Sequence, residues 1–141
     1  MLKGVDPVLT GALLKILDEM GHGDQLVIAD RNFPAATAGK PVIHVGEIGA
    51  VRVMTAILSV FPLDTFVARP LERMEADNDP LVTNATIDAV LEVARSNHGA
   101  DLEFGVIPRF DFYERARHAS AVVLTLESAA YCDFIITKGV V

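Results

Sequence analysis

The 141-residue sequence has no tryptophan, a single cysteine, and twelve basic residues against nineteen acidic ones. A lone thiol, Cys132, excludes an intrachain disulfide and any metal site assembled from several thiolates. The formal charge of −7 leaves no basic stripe of the kind that nucleic-acid phosphates require. No apolar run approaches the ~20 residues that cross a bilayer. No basic segment followed by an apolar core opens the chain, so the expected location is the cytoplasm, without membrane contact. Neither GxGxxG nor GxxxxGK is present, which leaves no dinucleotide or NTP signature, and no serine sits in a GxSxG elbow. His22, Asp24, Asp30 and His44 show no HxH, HxxxH or HExxH spacing, and no metal is expected.

What the chain has in quantity is apolar surface. It is 51% hydrophobic, with a mean hydropathy of +0.37. Its length points to one domain spanning 1–141. A domain of this size cannot hide so much apolar area in one core, and exposed apolar patches mark interfaces. A homo-oligomer is expected on composition alone.

Helical and extended patterns alternate along the chain. Leu13, Leu14, Leu17 and Met20 recur at helical spacing, with Thr10 as a cap and Gly21 placed for a left-handed stop. Gln25 to Ala29 is a continuous apolar strand ending at Asp30, and Val42 to Val45 is a second strand across a proline-bearing loop. Val53 to Phe61 and Ile87 to Ala94 carry two further helical stripes, the latter capped by Thr83 or Asn84. Between them the spacing favours extended structure around Phe66, Val67 and Met74, then a turn at Asn78-Asp79-Pro80. Leu102 to Ile107 is a strand, Phe112 to Ala119 a short helix, and Ala121 to Leu126 and Phe134 to Thr137 are closing strands. The class is α/β with a mostly buried sheet.

Six residues are candidates for chemistry. His22, between Gly21 and Gly23, is either a proton donor working near neutral pH or a loop residue capping the first helix. Asp30 lies at the carboxyl end of a strand, the edge where ligands collect in open α/β sheets, and is either a ligand carboxylate or a turn residue. Whether His22 and Asp30 face the same side, and so whether Asp30 orients His22 or binds hydroxyls, is open. Arg109, after Pro108, can fork onto hydroxyls or form a surface ion pair. Tyr131 can stack on a sugar, relay a proton or simply pack. It precedes Cys132 and Asp133 in a break before the last strand. Cys132 has no base at fixed spacing and reads as inert.

Four segments together resemble the fucose mutarotase and ribose pyranase family: Leu14 to Asp24 (LKILDEMGHGD), Ala29 to Pro34 (ADRNFP), Arg109 to Ala116 (RFDFYERA) and Tyr131 to Val140 (YCDFIITKGV). Each motif is weak alone; the four in order are specific. The FYERA segment and its preceding arginine resemble the fucose branch, since the ribose branch tends to carry histidine near that arginine. The resemblance implies a three-layer α/β/α domain and a cofactor-free isomerase that interconverts sugar anomers, with L-fucose or a related monosaccharide as substrate. It implies that His22 matches the general acid, and that Asp30, Arg109 and the Tyr131-Cys132-Asp133 turn match sugar-binding positions, with Tyr131 packing on the sugar or relaying a proton. It also implies ring-shaped homo-oligomers, typically decamers, with sites at subunit contacts.

One position departs from the family. Its turn usually ends in asparagine, as Tyr-Gly-Asn, where this chain has Asp133. Asparagine offers two donors and an acceptor, whereas an ionised aspartate only accepts, so a different hydrogen-bond pattern toward the sugar is expected. A monosaccharide-binding or transport-accessory module would use the same pocket without an acid, and a ribose pyranase-like activity is the nearest enzymatic rival.

Overall fold

The computed structural model describes residues 1–141. Thr10 opens helix α1 (Gly11–Glu19) by accepting the Leu13 N–H on its hydroxyl, and Leu13 and Leu17, one turn apart, are buried. The helix does not stop on a left-handed Gly21. Met20 turns extended, and the Lys138 ammonium donates to the Leu17 and Met20 carbonyls at 2.5 and 2.6 Å. A cation that satisfies the last carbonyls removes the need for a glycine cap. The left-handed residue is Gly23, two positions later, at φ 86°.

Six strands follow: β1 (Gln25–Ala29), β2 (Val42–His44), β3 (Leu71–Met74), β4 (Gly105–Ile107), β5 (Ala121–Leu124) and β6 (Phe134–Thr137). They form one sheet in the order β2-β5-β1-β6-β3-β4. β1 runs parallel to β5, β5 to β2, and β3 to β4; β6 is antiparallel to both of its neighbours, β1 and β3. Five strands therefore share one direction and β6 alone opposes them.

Side chains alternate strictly between two cores. Leu26, Ile28, Ala121, Val123, Phe134 and Ile136 enter the larger one, packed by α1, α2 (Ala50–Leu58) and α3 (Ala85–His98). Val27, Ala29, Val122 and Ile135 enter the smaller one, with Phe112 and Ala116 of α4 (Arg109–Ala116) and Phe33 and Ala35 near a 3₁₀ turn at Ala36–Ala38. Burial on both faces is why β1 reads as an unbroken apolar run. The architecture is the expected three-layer α/β/α arrangement with a mostly buried sheet. Asn84 caps α3 through the Ile87 N–H at 3.0 Å. No helix is long and apolar enough to cross a membrane.

Several boundaries differ from the spacing-based expectation. Phe66 and Val67 are not in a strand and are exposed; the extended run begins only at Leu71. The Asp64 carboxylate accepts the Phe66 N–H at 2.9 Å, a local bond that bends the chain away from a ladder. The turn expected at residues 78–80 is centred on Asp77 and Asn78, both left-handed at φ 52° and 58°, with the Asp79 N–H on the Ala76 carbonyl at 2.9 Å. β4 starts at Gly105, β5 ends at Leu124, and α4 starts at Arg109.

Behind β6 the backbone passes close to the segment before β3. The Gly139 N–H donates to the Pro62 carbonyl at 2.8 Å. A Cβ on Gly139 would stand 2.5 Å from the Leu63 oxygen and 2.9 Å from the Asp64 Cα, whereas a Cβ on Gly11 would meet nothing within 4 Å. Gly139→Ala is therefore expected to lower stability by about 1–3 kcal/mol through forced backbone displacement. Gly11→Ala is expected to raise it by about 0.4–1 kcal/mol by restricting the unfolded chain. Urea unfolding at matched protein concentration checks both, and equal midpoints for the two variants would contradict the close approach.

Candidate functional site

Polar residues of the buried sheet gather where its strands end. At the carboxyl end of β1, Asp30 is 5% exposed and its backbone N–H donates to Asp133 Oδ1 at 2.8 Å, tying the exit of β1 to the entry of β6. Asp133 is 3% exposed. Asp30 Oδ1 accepts the Asn32 N–H at 2.8 Å. Thr125, just past β5, donates its hydroxyl to the Ala29 carbonyl at 2.8 Å, and the Arg31 N–H reaches the Glu127 carbonyl at 3.2 Å. Burial raises the Asp30 carboxyl above its ordinary range, against N–H donors from Asn32, Cys132 and Phe33 that pull it down. Burial, and then the Asp30 charge, push Asp133 up to about 8.

The turn that delivers Asp133 is held from the side. Asn84 Nδ2 donates to the Ala130 carbonyl at 3.1 Å, while its Oδ1 accepts the Cys132 thiol at 3.6 Å. Tyr131 follows in the left-handed region at φ 60°. For a non-glycine residue that conformation costs of order 1–3 kcal/mol and persists only where surroundings impose it. The Cys132 side chain points into the larger core, fully buried, and its thiol is pushed by burial up to about 12. Its sulfur thus faces away from the strand-end cluster; only its N–H, directed at Asp30, belongs there.

Helix α4 lies over the same edge. Arg109 is exposed and rests its guanidinium 4.6 Å from the centre of the Phe110 ring. It forms no ion pair with Asp30 or Asp133, and so remains free to meet a ligand. Tyr113, one turn on, packs its ring on Phe33 at 5.6 Å. Burial raises its phenol, with Arg109 opposing and Asp133 and Asp30 adding to the rise. Tyr113 was not singled out by sequence; its i, i+4 relation to Arg109 on a helix leaving a strand end is the signal that would have found it. No cluster of three or more His, Cys, Asp or Glu side chains has metal-ligand geometry.

His22 stands elsewhere. It precedes β1, and the neighbouring Gly23 N–H bonds the Lys138 carbonyl beyond the far end of β6. At ~3.3 Å per residue, β1 holds its ends roughly 13 Å apart, with His22 beyond one and Asp30 beyond the other. His22 and Asp30 therefore do not face the same side, and Asp30 does not orient His22. That role falls to Asp64, which is 2% exposed and accepts His22 Nε2 at 3.1 Å. The Phe66 N–H, followed by the contact with His22, holds the Asp64 carboxyl below its ordinary range against the effect of burial. Phe66, 75% exposed, sets its ring 5.3 Å from the imidazole. The imidazole itself is 46% exposed, so one face stays open. No spacing rule links Asp64 to a histidine 42 residues away.

The chain thus carries two candidate half-sites: a carboxyl-edge cluster of Asp30, Asp133, Tyr131, Arg109 and Tyr113, and an amino-edge imidazole held by a buried carboxylate. Residues 3–141 match the model of the RbsD / FucU transport protein family. The chain is 41% identical over 140 residues to an L-fucose mutarotase of Histophilus somni (strain 2336), covering 99% of this chain and 97% of that one. Among solved structures it is similar to FucU from Bifidobacterium longum, with a TM-score of 0.91, 42% identity and 99% of each chain covered. It is also similar to the fucose mutarotase of Streptococcus pneumoniae in complex with L-fucose, with a TM-score of 0.87, 34% identity and 99% of each chain covered. On this full-length agreement in sequence and fold, the chain belongs to the RbsD / FucU family.

Proposed function

We propose that the protein is a sugar mutarotase that interconverts the anomers of L-fucose or a closely related monosaccharide. The observation that carries this reading is the full-length similarity to chains named L-fucose mutarotase. The site chemistry agrees with it. Mutarotation requires a proton delivered to the ring oxygen and one taken from the anomeric hydroxyl. The C1–O bond of the ring then breaks, its electron pair passing to the ring oxygen as the carbonyl forms at C1. The carbonyl face rotates and the ring closes with both transfers reversed. Positioned proton transfer contributes typically ~10²–10⁴-fold, and an imidazole near neutral pH suits both directions.

In this reading His22 is the acid that serves the ring oxygen, held in orientation by Asp64. Asp30, Asp133 and Arg109 bind hydroxyls, and Tyr131 packs against the sugar or relays a proton. Cys132 contributes backbone only. Because the two half-sites lie at opposite ends of β1, a sugar seated on the carboxyl edge needs the imidazole of a second copy of this chain. We therefore place the site at the contact between copies in a homo-oligomer. Such a contact is heterologous, one edge meeting the other, and closes into a ring when the rotation permits. The exposed Phe66 beside His22 and the exposed Phe110 beside Arg109 supply apolar surface on the two edges that would meet.

Saturation-transfer NMR on the anomeric protons tests the activity. Acceleration of L-fucose exchange without added cofactor or metal is expected. Exchange at the protein-free rate for fucose, ribose and galactose, with sugar still bound, would instead favour a binding module. His22→Ala is expected to lower the acceleration by about 10²–10⁴-fold while leaving the fold intact, because an exposed loop side chain contributes little packing.

Mixing tests the shared site. His22→Ala and Arg109→Ala chains are each expected to be slow alone. Co-assembled, they are expected to recover activity, with roughly a quarter of the sites intact in an equal random mixture when each site draws on two copies. No recovery in mixed oligomers would place the whole site within one chain.

A further inference from the structure

Asp30 and Asp133 are two buried carboxyls on one hydrogen-bonded joint, and they are not equally supplied with donors. Asp30 receives the Asn32 N–H at 2.8 Å and is also approached by the N–H groups of Cys132 and Phe33. Asp133 receives one N–H, that of Asp30, at 2.8 Å. No Lys, Arg or His side chain forms an ion pair with either of them.

The surroundings offer little to offset a second negative charge. From β1 comes the Asp30 carboxyl, from the segment after β5 comes Glu127, and the turn itself brings Tyr131 and Cys132. From α4 come Tyr113 and Arg109. From β3, Arg73 is paired with Phe134 and projects into the other layer, where it donates to the Met74 and Pro80 carbonyls, while Glu72, in register with Ile135, lies in the same layer with its charge matched by Arg115 of α4 at 2.6 Å. Arg109 is the cation of the set that no carboxylate pairs, and it is exposed and stacked on Phe110. Two carboxylates sharing a buried site do not both ionise near neutrality, and the one with fewer donors keeps its proton.

We propose that Asp133 works as a neutral carboxylic acid whose hydroxyl donates a hydrogen bond to a sugar hydroxyl, making it a specificity-determining residue of the carboxyl-edge site. The nature of the ligand rests on the mutarotase reading; the position of the proton does not. A protonated carboxyl offers one donor and one acceptor, against the two donors and one acceptor of a carboxamide. The acceptor-only behaviour expected of an aspartate at this position therefore applies only at alkaline pH. Asp133 accordingly reproduces part of an asparagine's pattern and adds a pH limit that asparagine lacks. Once Asp133 ionises, near pH 8, the donor is lost and a second charge sits beside Asp30.

The sign for stability follows from the same raised value. Between the ordinary carboxyl range and about 8, the folded chain holds a proton that the unfolded chain has released, so stability falls as pH rises through this window and levels off above it. Asp133→Asn lacks that slope.

Infrared difference spectra of the intact oligomer, wild type minus Asp133→Asn, read the proton directly. Calorimetric titration with L-fucose from pH 6 to 9.5 reads its use. The expected result is a protonated-carboxyl band at pH 6 that disappears with a midpoint near pH 8. L-fucose affinity is expected to fall about tenfold per pH unit beyond that midpoint in wild type and to stay level in Asp133→Asn. Asp30→Asn removes the neighbouring charge and is expected to move the midpoint down. The wild-type and Asp30→Asn pair decides the matter if Asp133→Asn fails to fold. Absence of the band at pH 6 would overturn the proposal whatever the exchange rate. A band accompanied by the same affinity profile in wild type and Asp133→Asn would overturn the donor role. Failure of the mutarotase reading looks different: L-fucose bound without faster exchange, in which case the affinity profile still decides on Asp133.

Discussion

The central strands β1 and β6, buried on both faces, leave polar side chains no place except at their ends. In β1, Leu26 and Ile28 fill one core while Val27 and Ala29 fill the other, and the next residue, Asp30, is the first that can be polar. The same holds in reverse for β6, where Asp133 is the last polar residue before Phe134, Ile135 and Ile136. Because β6 alone runs against its neighbours, the entry of β6 lies beside the exit of β1, and the two carboxyls meet. The opposite ends of the same two strands bring together Gly23 and Lys138, and with them His22. Strand direction, more than any single contact, distributes the chemistry between two edges.

Each edge is then stiffened by bonds that do not touch a ligand. Asn84 ties the start of α3 to the turn that holds Tyr131 in its left-handed conformation. Lys138 closes the end of α1 from which the His22 loop departs. Asp64 spends one oxygen on both the Phe66 N–H and His22 Nε2, so the turn after Leu63 and the orientation of the imidazole depend on one buried carboxylate. Supports of this kind keep a loop histidine in place where exposure alone would let it wander.

Legibility in sequence followed the range of the interactions. Gln25 to Ala29 and Phe134 to Thr137 were readable to the residue, because burial on both faces leaves an unbroken apolar run. The Thr10 cap was readable, and the α3 cap to within the pair Thr83 and Asn84, because capping acts over three residues. The segment around Phe66 misled, since its apolar residues belong to an exposed edge and a local carboxylate bond turns the chain there. Gly21 misled because the helix end is satisfied by Lys138, over a hundred residues away. The candidates at the carboxyl edge were found one at a time, as polar residues at strand ends. Their grouping came only from the family resemblance, because strand order does not follow from periodicity. The separation of His22 from Asp30 and the pairing of His22 with Asp64 are both consequences of topology, and neither leaves a trace in spacing.

In the proposed reading one sugar is served by two edges of two copies. The measurement that addresses it most directly is an experimental structure of the oligomer with L-fucose bound. The expected result is a sugar within hydrogen-bond distance of Asp30, Asp133 and Arg109 of one copy and of His22 from another. A bound sugar contacted by only one of these edges, with no imidazole at its ring oxygen, would contradict it.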